Sequence, residues 1–426
     1  MLKTIISLFS VLQKKNKVKL IYIQLLLLIS ALFEVASIFI IAPFMGLVAG
    51  NVDPDTSTFI LYVKKFLNIN EINDLIFATG FITLFVFAIS AFVSISTTFI
   101  LTFFGNRIGA EISTSLYNLY LSKPYLFHLN KNSSDLTSKI SFDAERTTSI
   151  FLRVLATNSG IIKSASIVTA LLIYNYKVAL ILGITFISTY IIIYLILQSK
   201  FEKIGYILTE QKSKIYKLLS EGFGSIKDII ILSRKKFFVD DFEKSQNLVA
   251  NKSAFITTMS LTPRQVIETV ALATIISLIL YFSKTSDENV TTILTTLAVF
   301  GLGSYKLLPC FQDIYFNVSS IRSSIPAYNS IKDYLYESKQ LQEIKFIDEN
   351  IKFQKNDELI FENVNFFYTD TSKASLKKIN TRIKANTSIG IVGQTGAGKT
   401  TFGNLILGLI KPSSGSIKLN NRLIKT

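Results

Sequence analysis

The chain has 426 residues but no tryptophan, one cysteine and one histidine. Because Cys310 is the only thiol, an internal disulfide framework and a cysteine-built metal site are excluded. Because His128 is the only imidazole, the chain cannot by itself build a His-centred catalytic triad or a multi-histidine metal site. Charged residues are also scarce, at 17% of the chain, whereas a soluble domain carries roughly 25%. Together with 49% hydrophobic residues, this deficit excludes a disordered chain and argues against an ordinary soluble protein.

Acidic residues are the scarcer of the two charge types, with 29 Asp and Glu against 45 Lys and Arg, a net charge of +16. A basic and apolar chain is typical of a protein embedded in a lipid bilayer, with its cations on the cytoplasmic side. Nucleic-acid binding normally goes with a polar, basic surface on a soluble fold, which this composition does not favour. We therefore expect a bilayer as partner and no nucleic acid.

The apolar residues are clustered into segments that match the roughly 20 residues needed for a membrane-spanning helix. Four segments are strong candidates: Leu20–Gly46, Leu75–Phe104, Val178–Leu197 and Val290–Leu308. Two are weaker, because Phe151–Tyr174 contains several polar residues and Val266–Phe282 is short. The alternative for these two is a buried helix of a soluble domain. We predict six spans, since an even number returns the chain to its starting side.

The distribution of lysines predicts the orientation of these spans. The residues before Leu20 contain five lysines and no acid, which places the N-terminus in the cytoplasm and the Leu47–Asp74 connection outside. The two long connections, Gly105–Ile150 and Ser199–Pro263, are then cytoplasmic, and their patterning predicts helices with short crosswise turns at the tips, one of them at Gly222–Ile229. Residues 1–19 lack the small-residue cleavage site of a signal peptide, and we predict an interfacial helix on the inner membrane surface.

Several predicted spans contain charged side chains, which are costly in lipid and should face a cavity or one another. They are Glu34, Arg153, Lys163, Arg264, Glu268 and Lys306. Cationic side chains around a cavity would suit a pyrophosphate-linked glycan. For Arg264 and Glu268 a simple pairing at i,i+4 near a helix end is the favoured interpretation.

The composition changes near residue 334, and residues 334–357 form a charged segment that we interpret as a linker. The alternation in Leu359–Phe366 predicts a strand, and the apolar run Ser388–Val392 predicts a second strand. Gly393–Thr400, with the sequence GQTGAGKT, then matches the phosphate-binding loop pattern G-x-x-x-x-G-K-[ST], and a helix is predicted at Thr401–Ile410. This context predicts nucleotide binding by the segment.

Each residue type in that pattern has a physical role. Gly393, Gly396 and Gly398 let the backbone wrap closely around a triphosphate and direct its N–H groups inward. Lys399 reaches the β- and γ-phosphates, and the Thr400 hydroxyl ligates Mg²⁺. The predicted cofactors are therefore ATP and Mg²⁺, and Thr400 is the predicted metal ligand. Tyr368 follows a predicted strand, where its ring either stacks on a nucleobase or covers the core.

Three segments match, in order and spacing, the ATPase domain of the ABC transporter superfamily: NVNFFY at Asn363–Tyr368, GQTGAGKTT at Gly393–Thr401 and GLIKPSSGSI at Gly408–Ile417. With six membrane helices before them, the whole chain resembles half of an ABC exporter. The resemblance implies that Tyr368 stacks on adenine and that Gln394, Thr395, Ala397 and Thr401 join the phosphate loop.

The fold implied by the resemblance is mainly α. A polytopic six-helix ABC exporter transmembrane domain at residues 20–333 is followed by an N-terminal fragment of an α/β P-loop ATPase domain at residues 358–426. The resemblance also implies a homodimer or a second half-transporter that exchanges a pair of helices, and a multi-pass location in the bacterial inner membrane with the ATPase segment in the cytoplasm. Coupling helices that rest on the ATPase domains are expected near Asn132–Ser141 and Ser220–Lys227.

The membrane part resembles bacterial flippases of lipid-linked oligosaccharides and related polysaccharide exporters, through TPRQVIE at Thr262–Glu268 and the segment Ser304–Ile331. We therefore expect an ATP-driven exporter of a lipid-linked or otherwise amphipathic substrate. The alternative is a peptide, toxin or drug exporter on the same fold.

The sequence contains no later strand ending in Asp-Glu, no LSGGQ-type segment and no switch histidine after the phosphate loop. Phosphoryl transfer depends on such positioning and electrostatic groups, so we expect no useful ATP hydrolysis by this polypeptide alone and name no catalytic residue. The expected explanations are a truncated gene product, a split gene or an incomplete record. A separately encoded ATPase remainder is one further partner, and a non-catalytic membrane remnant is the remaining alternative.

Overall fold

The computed structural model describes residues 2–12, 14–48, 57–69, 71–285, 290–341, 354, 356–368, 374–420 and 422–423. The described helices are α1 (Leu2–Val11), α2 (Lys14–Phe39), α3 (Ile41–Val48), α4 (Thr58–Leu67), α5 (Ile72–Leu121), α6 (Tyr125–Asn130), α7 (Ser133–Ser138), α8 (Ala144–Tyr174), α9 (Tyr176–Gly224), α10 (Ile226–Ile231), α11 (Lys235–Leu261), α12 (Pro263–Thr285), α13 (Val290–Leu341) and α14 (Lys399–Ile406), with a π-helical turn at Lys139–Asp143. The described strands are β1 (Glu358–Phe366), β2 (Leu376–Lys384), β3 (Ser414–Leu419) and β4 (Arg422–Leu423).

The chain divides into two compact units. The first unit comprises Met1–Leu116 and Thr137–Tyr336, and it holds most of the long helices. The second unit comprises Tyr117–Leu136 and Glu337–Thr426, and it holds the sheet. The division makes a short stretch around α6 part of the sheet-containing unit, although α6 lies between two membrane helices in sequence.

Four helical segments in the described part of the chain are long and apolar enough to cross a membrane: Lys14–Ser37, Ile72–Leu121, Ser133–Tyr174 and Ala179–Gly224. They coincide with the first four predicted spans, and they make this a multi-pass membrane protein. Their outward faces carry large apolar side chains such as Phe81 on α5, which is 71% exposed. That exposure is expected for a surface that contacts lipid rather than water.

The fifth and sixth predicted spans lie on α12 and α13, both of which are helical. Most of the side chains between residues 278 and 299 lie outside the described set, so membrane crossing by these two helices stays a prediction. Helix α13 continues to Leu341, and the first eight residues of the predicted linker are therefore helical. The buried Leu335 anchors this extension.

Polar side chains of α8, which weakened the prediction of the third span, find partners on neighbouring helices. The Asn158 amide donates to Gln24 Oε1 on α2 at 2.5 Å, and the Arg153 guanidinium donates to Asn317 Oδ1 on α13 at 3.2 Å. A polar group inside a membrane protein must be satisfied by the protein itself. These cross-helix bonds explain how a segment with a mixed composition is accommodated among apolar ones.

Helix α1 is present as predicted and packs on the first unit. Its Leu8 is buried, and its Phe9 ring meets the Phe151 ring edge-on at 5.2 Å between centroids. Ser7 Oγ lies 2.9 Å from the Tyr328 hydroxyl on α13. The contact of this helix with the membrane surface stays a prediction.

Short helices interrupt both long helical connections. The first connection contains two of them, α6 (Tyr125–Asn130), directly after Pro124, and α7 (Ser133–Ser138), which lies within the stretch Asn132–Ser141 expected for the first coupling helix. Proline cannot continue the preceding helix, so the break falls at Pro124, and residues from Ser133 onwards already lead into α8 through the π-helical turn. The second tip agrees with the prediction, because α9 ends at Gly224 and α10 starts at Ile226.

The second unit contains a four-stranded sheet with the order β2-β1-β3-β4, and every neighbouring pair is antiparallel. Its core includes Phe361, Val364 and Leu405, and Tyr125 and Leu126 of α6 pack against the same cluster. On the open face Lys418 Nζ donates to Glu362 Oε2 at 2.6 Å, which holds the pKa of that carboxyl below its usual value. The cross-strand pair thereby links β1 to β3.

Close packing of α9 on α13 supports a specific prediction. A Cβ atom at Gly205 would lie 2.3 Å from the Ser323 carbonyl oxygen, a backbone atom that cannot move aside. We expect Gly205→Ala to lower the free energy of unfolding by about 1–3 kcal/mol through overpacking, measured by thermal unfolding of the purified protein.

Gly183 provides the matched control in the same helix, because a Cβ there would meet nothing within 4 Å. Gly183→Ala should not destabilise, since alanine favours a helix interior over glycine by about 0.5–1 kcal/mol. A Gly205→Ala variant as stable as Gly183→Ala would contradict the close approach of the two helices.

Candidate functional site

The predicted phosphate loop has the turn geometry that its glycines allow. Gly396 and Gly398 adopt left-handed φ values of 84° and 87°, a conformation that costs residues with a Cβ roughly 1–2 kcal/mol. A Cβ on Gly398 would also lie 2.5 Å from the Ser375 carbonyl oxygen. Gly398 is the N-cap of α14, and the amide of Phe402 donates to its carbonyl oxygen at 2.9 Å. The loop therefore leads directly into a helix N-terminus.

Lys399 is directed across the loop rather than into solvent. Its Nζ donates to the carbonyl oxygens of Gly393 and Gln394 at 2.7 and 2.8 Å. The exposed hydroxyl-bearing Thr400 follows, while Thr401 is buried. A flexible cation held over an exposed backbone curve, at the positive end of a helix, is the donor set that suits phosphate oxygens.

Tyr368 lies beside the loop. Its hydroxyl is 3.2 Å from Thr401 Oγ1, and its ring meets Phe366 edge-on with centroids 4.9 Å apart. The side chain is half-buried and packs against the core of the second unit. The tyrosine thus covers the core, which is one of the two roles that its sequence position suggested. Stacking on a nucleobase, the other role, stays a prediction.

The predicted strand at Ser388–Val392 is wrong for this structure. Residues 387–394 are neither strand nor helix, and Ile389, Ile391 and Val392 are exposed, the last by 95%. A buried parallel strand is stable only when neighbouring strands and covering helices enclose it on both sides. The four described strands pair with one another and leave this run without a partner in the described part of the sheet. The helix after the loop is also earlier and shorter than predicted, at Lys399–Ile406, and it ends before Gly408, which has φ of 68°.

A cavity of about 730 Å³ lies within the first unit, bordered by α2, α5, α8 and α13. Its lining combines apolar residues with three cationic and two acidic side chains, namely Arg153, Lys163, Lys306, Glu34 and Asp313. Four of these five charges come from predicted membrane spans. These four side chains were predicted to face a cavity or one another, and the structure confirms that they line a cavity.

Comparison with known protein families decides the identity of the fold. The family model described as "ABC transporter transmembrane region" matches residues 20–306, which is more than half of the chain. The model described as "ABC transporter" matches residues 376–426. The chain belongs to the ABC transporters. Membership implies that the second match belongs to an ATP-binding domain. Most residues of the cavity lining fall within the matched transmembrane region, and the remainder, from Pro309 to Asn317, follow it directly on α13.

The similar curated proteins are distant. The chain is 25% identical over 345 residues to the ATP-dependent lipid A-core flippase of Wigglesworthia glossinidia brevipalpis, covering 79% of this chain and 56% of the flippase. It is 22% identical over 330 residues to the glutathione/L-cysteine transport system ATP-binding/permease protein CydD of Bacillus subtilis, covering 74% and 54%. The chain spans about half the length of these relatives. The names of these two relatives specify different substrates, so family membership alone does not define the cargo of this ABC transporter.

Two ion pairs of this ABC transporter differ sharply in their surroundings. Lys163 Nζ lies 2.8 Å from Glu34 Oε1 and 3.0 Å from Ser94 Oγ, and the two charged side chains are 16% and 17% exposed. Arg264 Nε lies 2.6 Å from Glu268 Oε1 in an i,i+4 pair whose side chains are 55% and 43% exposed. The expected local pairing of Arg264 with Glu268 is confirmed. The first pair joins three helices, which the sequence did not reveal.

The remaining two cations of the cavity have neutral partners. Lys306 Nζ donates to Ser37 Oγ at 2.5 Å and lies 4.6 Å from the centroid of the Phe87 ring. Arg153 donates to Asn317 and lies 4.7 Å from the centroid of the Phe316 ring. Neither side chain takes part in an ion pair among the described residues. Both side chains line the cavity, where a ligand could reach them.

Asp313 was not predicted as a cavity residue, because it follows the sixth predicted span and was not counted among the intramembrane charges. A signal was present, because Lys306, Cys310, Asp313 and Asn317 recur at helical spacing and all four line the cavity. Extending the periodicity of the span beyond Leu308 would have found them.

Proposed function

We propose that this chain is part of an ATP-driven exporter or flippase that moves an amphipathic, lipid-linked substrate with an anionic head group across the bacterial inner membrane. A lipid-linked oligosaccharide is the substrate that we favour. The observation that carries the proposal is the pair of cations, Arg153 and Lys306, that line the membrane cavity without a carboxylate partner. Charged groups at such positions are costly and generally mark a substrate pathway.

The chemistry of the cavity fits an anionic lipid head better than a purely apolar drug. Arg presents a fork of donors that matches phosphate geometry, and Lys adds a compact point charge. The two aromatic rings beside these cations and the leucines at the wall supply an apolar surface for the lipid portion. Similarity to relatives named as lipid A-core flippases is in keeping with this class of substrate.

We propose that the loop at Gly393–Thr401 binds the nucleotide that drives transport. Lys399 would exchange its two carbonyl contacts for phosphate oxygens, and Tyr368 would stack on the base. Mg²⁺ would be held by the Thr400 hydroxyl and the phosphate oxygens. Bound ATP supplies the free energy of hydrolysis.

We propose that a second half-transporter, identical or different, completes the assembly, with the N-terminus and the ATPase segment in the cytoplasm.

The test is binding of a fluorescent polyprenyl-diphosphate oligosaccharide to the purified chain in lipid nanodiscs. We expect Arg153→Gln and Lys306→Gln each to weaken binding about tenfold, because each removes a charge-assisted hydrogen bond to the diphosphate. Arg264→Gln, which alters a cation outside the cavity lining, should bind like the unmodified chain.

Unchanged binding in both cavity variants would refute the proposed recognition. Tighter binding of a cationic amphipathic peptide than of the glycolipid would favour a peptide or drug exporter. Absence of binding to every ligand class would favour a non-catalytic remnant.

A further inference from the structure

The charges of the membrane cavity do not balance as a simple anion site. Lys163 and Glu34 neutralise each other at 2.8 Å. Outside that ion pair, the cavity lining carries two cations, Arg153 and Lys306, and one carboxylate, Asp313. A site that bound only phosphate would gain nothing from that carboxylate, because a like charge near the ligand weakens its binding.

The Asp313 carboxylate lines the cavity and interacts electrostatically with Lys163 and Arg153, but it lies in no salt bridge with either. Its side chain is exposed where α13 lines the cavity, and none of the ion pairs of the described residues includes it. It lies between the two cations along α13: Lys306 is seven residues before it, and Asn317, which holds Arg153, is four residues after it. These spacings correspond to about 10 Å and about 6 Å along the helix axis, so the long side chains of Lys306 and Arg153 must extend towards Asp313 for all three groups to contact one head group.

We propose that Asp313 is a specificity-determining residue that selects substrates whose head group carries an ammonium group beside the phosphate. Arg153 and Lys306 bind the anionic oxygens, and the Asp313 carboxylate accepts hydrogen bonds from the ammonium. The site then matches a zwitterionic head, such as an amino sugar phosphate or a phosphoethanolamine. This inference rests on the proposed function, since it assumes that the cavity binds the head group of the cargo.

A plainer explanation is that Asp313 only moderates the positive potential of the cavity from a distance. In that case its removal would strengthen binding of every phosphate-bearing lipid by a similar factor. Direct pairing with an ammonium predicts a different pattern, because only the zwitterionic ligand loses a contact. The two explanations therefore differ in selectivity and not in overall affinity.

The test compares two probes with the same oleoyl chain and the same phosphodiester, lysophosphatidylethanolamine and lysophosphatidylglycerol. They differ in an ammonium group against a neutral diol. We expect the unmodified chain to bind lysophosphatidylethanolamine about fivefold more tightly, the value of one partly solvated ion pair. Asp313→Asn should abolish this preference, and Asp313→Glu should retain it. Asp240→Asn, the same change on α11 and outside the cavity lining, should leave both affinities unchanged.

Equal affinity of the unmodified chain for the two lipids overturns the inference without need of any variant, so a folding defect in Asp313→Asn cannot protect it. An equal increase in the affinity for both lipids in Asp313→Asn also overturns the inference. That result would favour the explanation that Asp313 only moderates the positive potential of the cavity. If the two lipids bind equally and Arg153→Gln weakens the binding of lysophosphatidylglycerol, the anion-binding site of the proposed function is supported while the proposed selectivity is refuted. If neither lipid binds, the inference is overturned, and the proposed function is then decided by binding of the polyprenyl-diphosphate oligosaccharide.

Discussion

Replacement of Lys163 by methionine should lower the free energy of unfolding by about 3 kcal/mol, because it leaves the Glu34 carboxylate among membrane helices without its counter-ion. The partners lie 2.8 Å apart and are mostly buried. Lys163 also donates to Ser94, so the ammonium joins α2, α5 and α8. The measurement is denaturant or thermal unfolding of the purified chain in detergent, followed by circular dichroism.

Two further variants show whether the loss comes from the uncompensated charge. The double variant Lys163→Met/Glu34→Leu should recover most of the stability, since an apolar pair of similar volume is often as stable as a buried ion pair. Arg264→Gln removes one partner of the exposed i,i+4 pair and should have no measurable effect. Equal effects of Lys163→Met and Arg264→Gln would show that the first pair is solvated to the same degree as the second.

Replacement of Lys399 by alanine should weaken ATP binding about 100-fold, because it removes two charge-assisted hydrogen bonds to phosphate oxygens. In the structure Nζ already makes two contacts, to the carbonyls of Gly393 and Gln394, which shows that the side chain reaches across the loop. Titration of the purified chain with a fluorescent ATP analogue in the presence of Mg²⁺ measures the change.

Lys411→Ala is the matched control for this variant, since Lys411 is an exposed lysine of the same unit outside the phosphate loop. It should leave the affinity for ATP unchanged. A similar loss in both variants would indicate that the effect comes from net charge rather than from the loop. An unmodified chain that does not bind the nucleotide would refute the proposed role of the loop in residues 1–426.

Local patterns in the sequence predicted a large part of the fold. The apolar runs of α2, α5 and α9 carry few charges, so their length and composition alone indicate membrane helices. The glycines of the phosphate loop were also recognisable, because Gly396 and Gly398 adopt a backbone conformation that few other residues tolerate. Strand β1 was predicted within one residue of its observed start.

Features that depend on neighbours were harder to predict. Ser388–Val392 has the composition of a buried strand, but strand formation needs hydrogen-bonding partners that the described sheet does not offer it. Strands β2 and β3 were not predicted, since Leu376–Lys384 is too polar to read as a core strand on its own. The separate short helix α6 was not predicted, although Pro124 cannot continue the preceding helix and therefore ends it.

The sequence by itself determined the class of this protein: a multi-pass membrane chain of the ABC transporter family with a phosphate-loop segment after it. These properties depend on runs of neighbouring residues and on one short motif, and such local patterns can be recognised without knowledge of the fold. Only the tertiary structure decided which charges share the cavity, that Lys163 pairs with Glu34 and that Asp313 lines the same cavity as Arg153 and Lys306. The hydrogen bond between Lys306 and Ser37 in this cavity joins residues 269 positions apart. The energy of a charge is set by what surrounds it in space rather than by its neighbours along the chain.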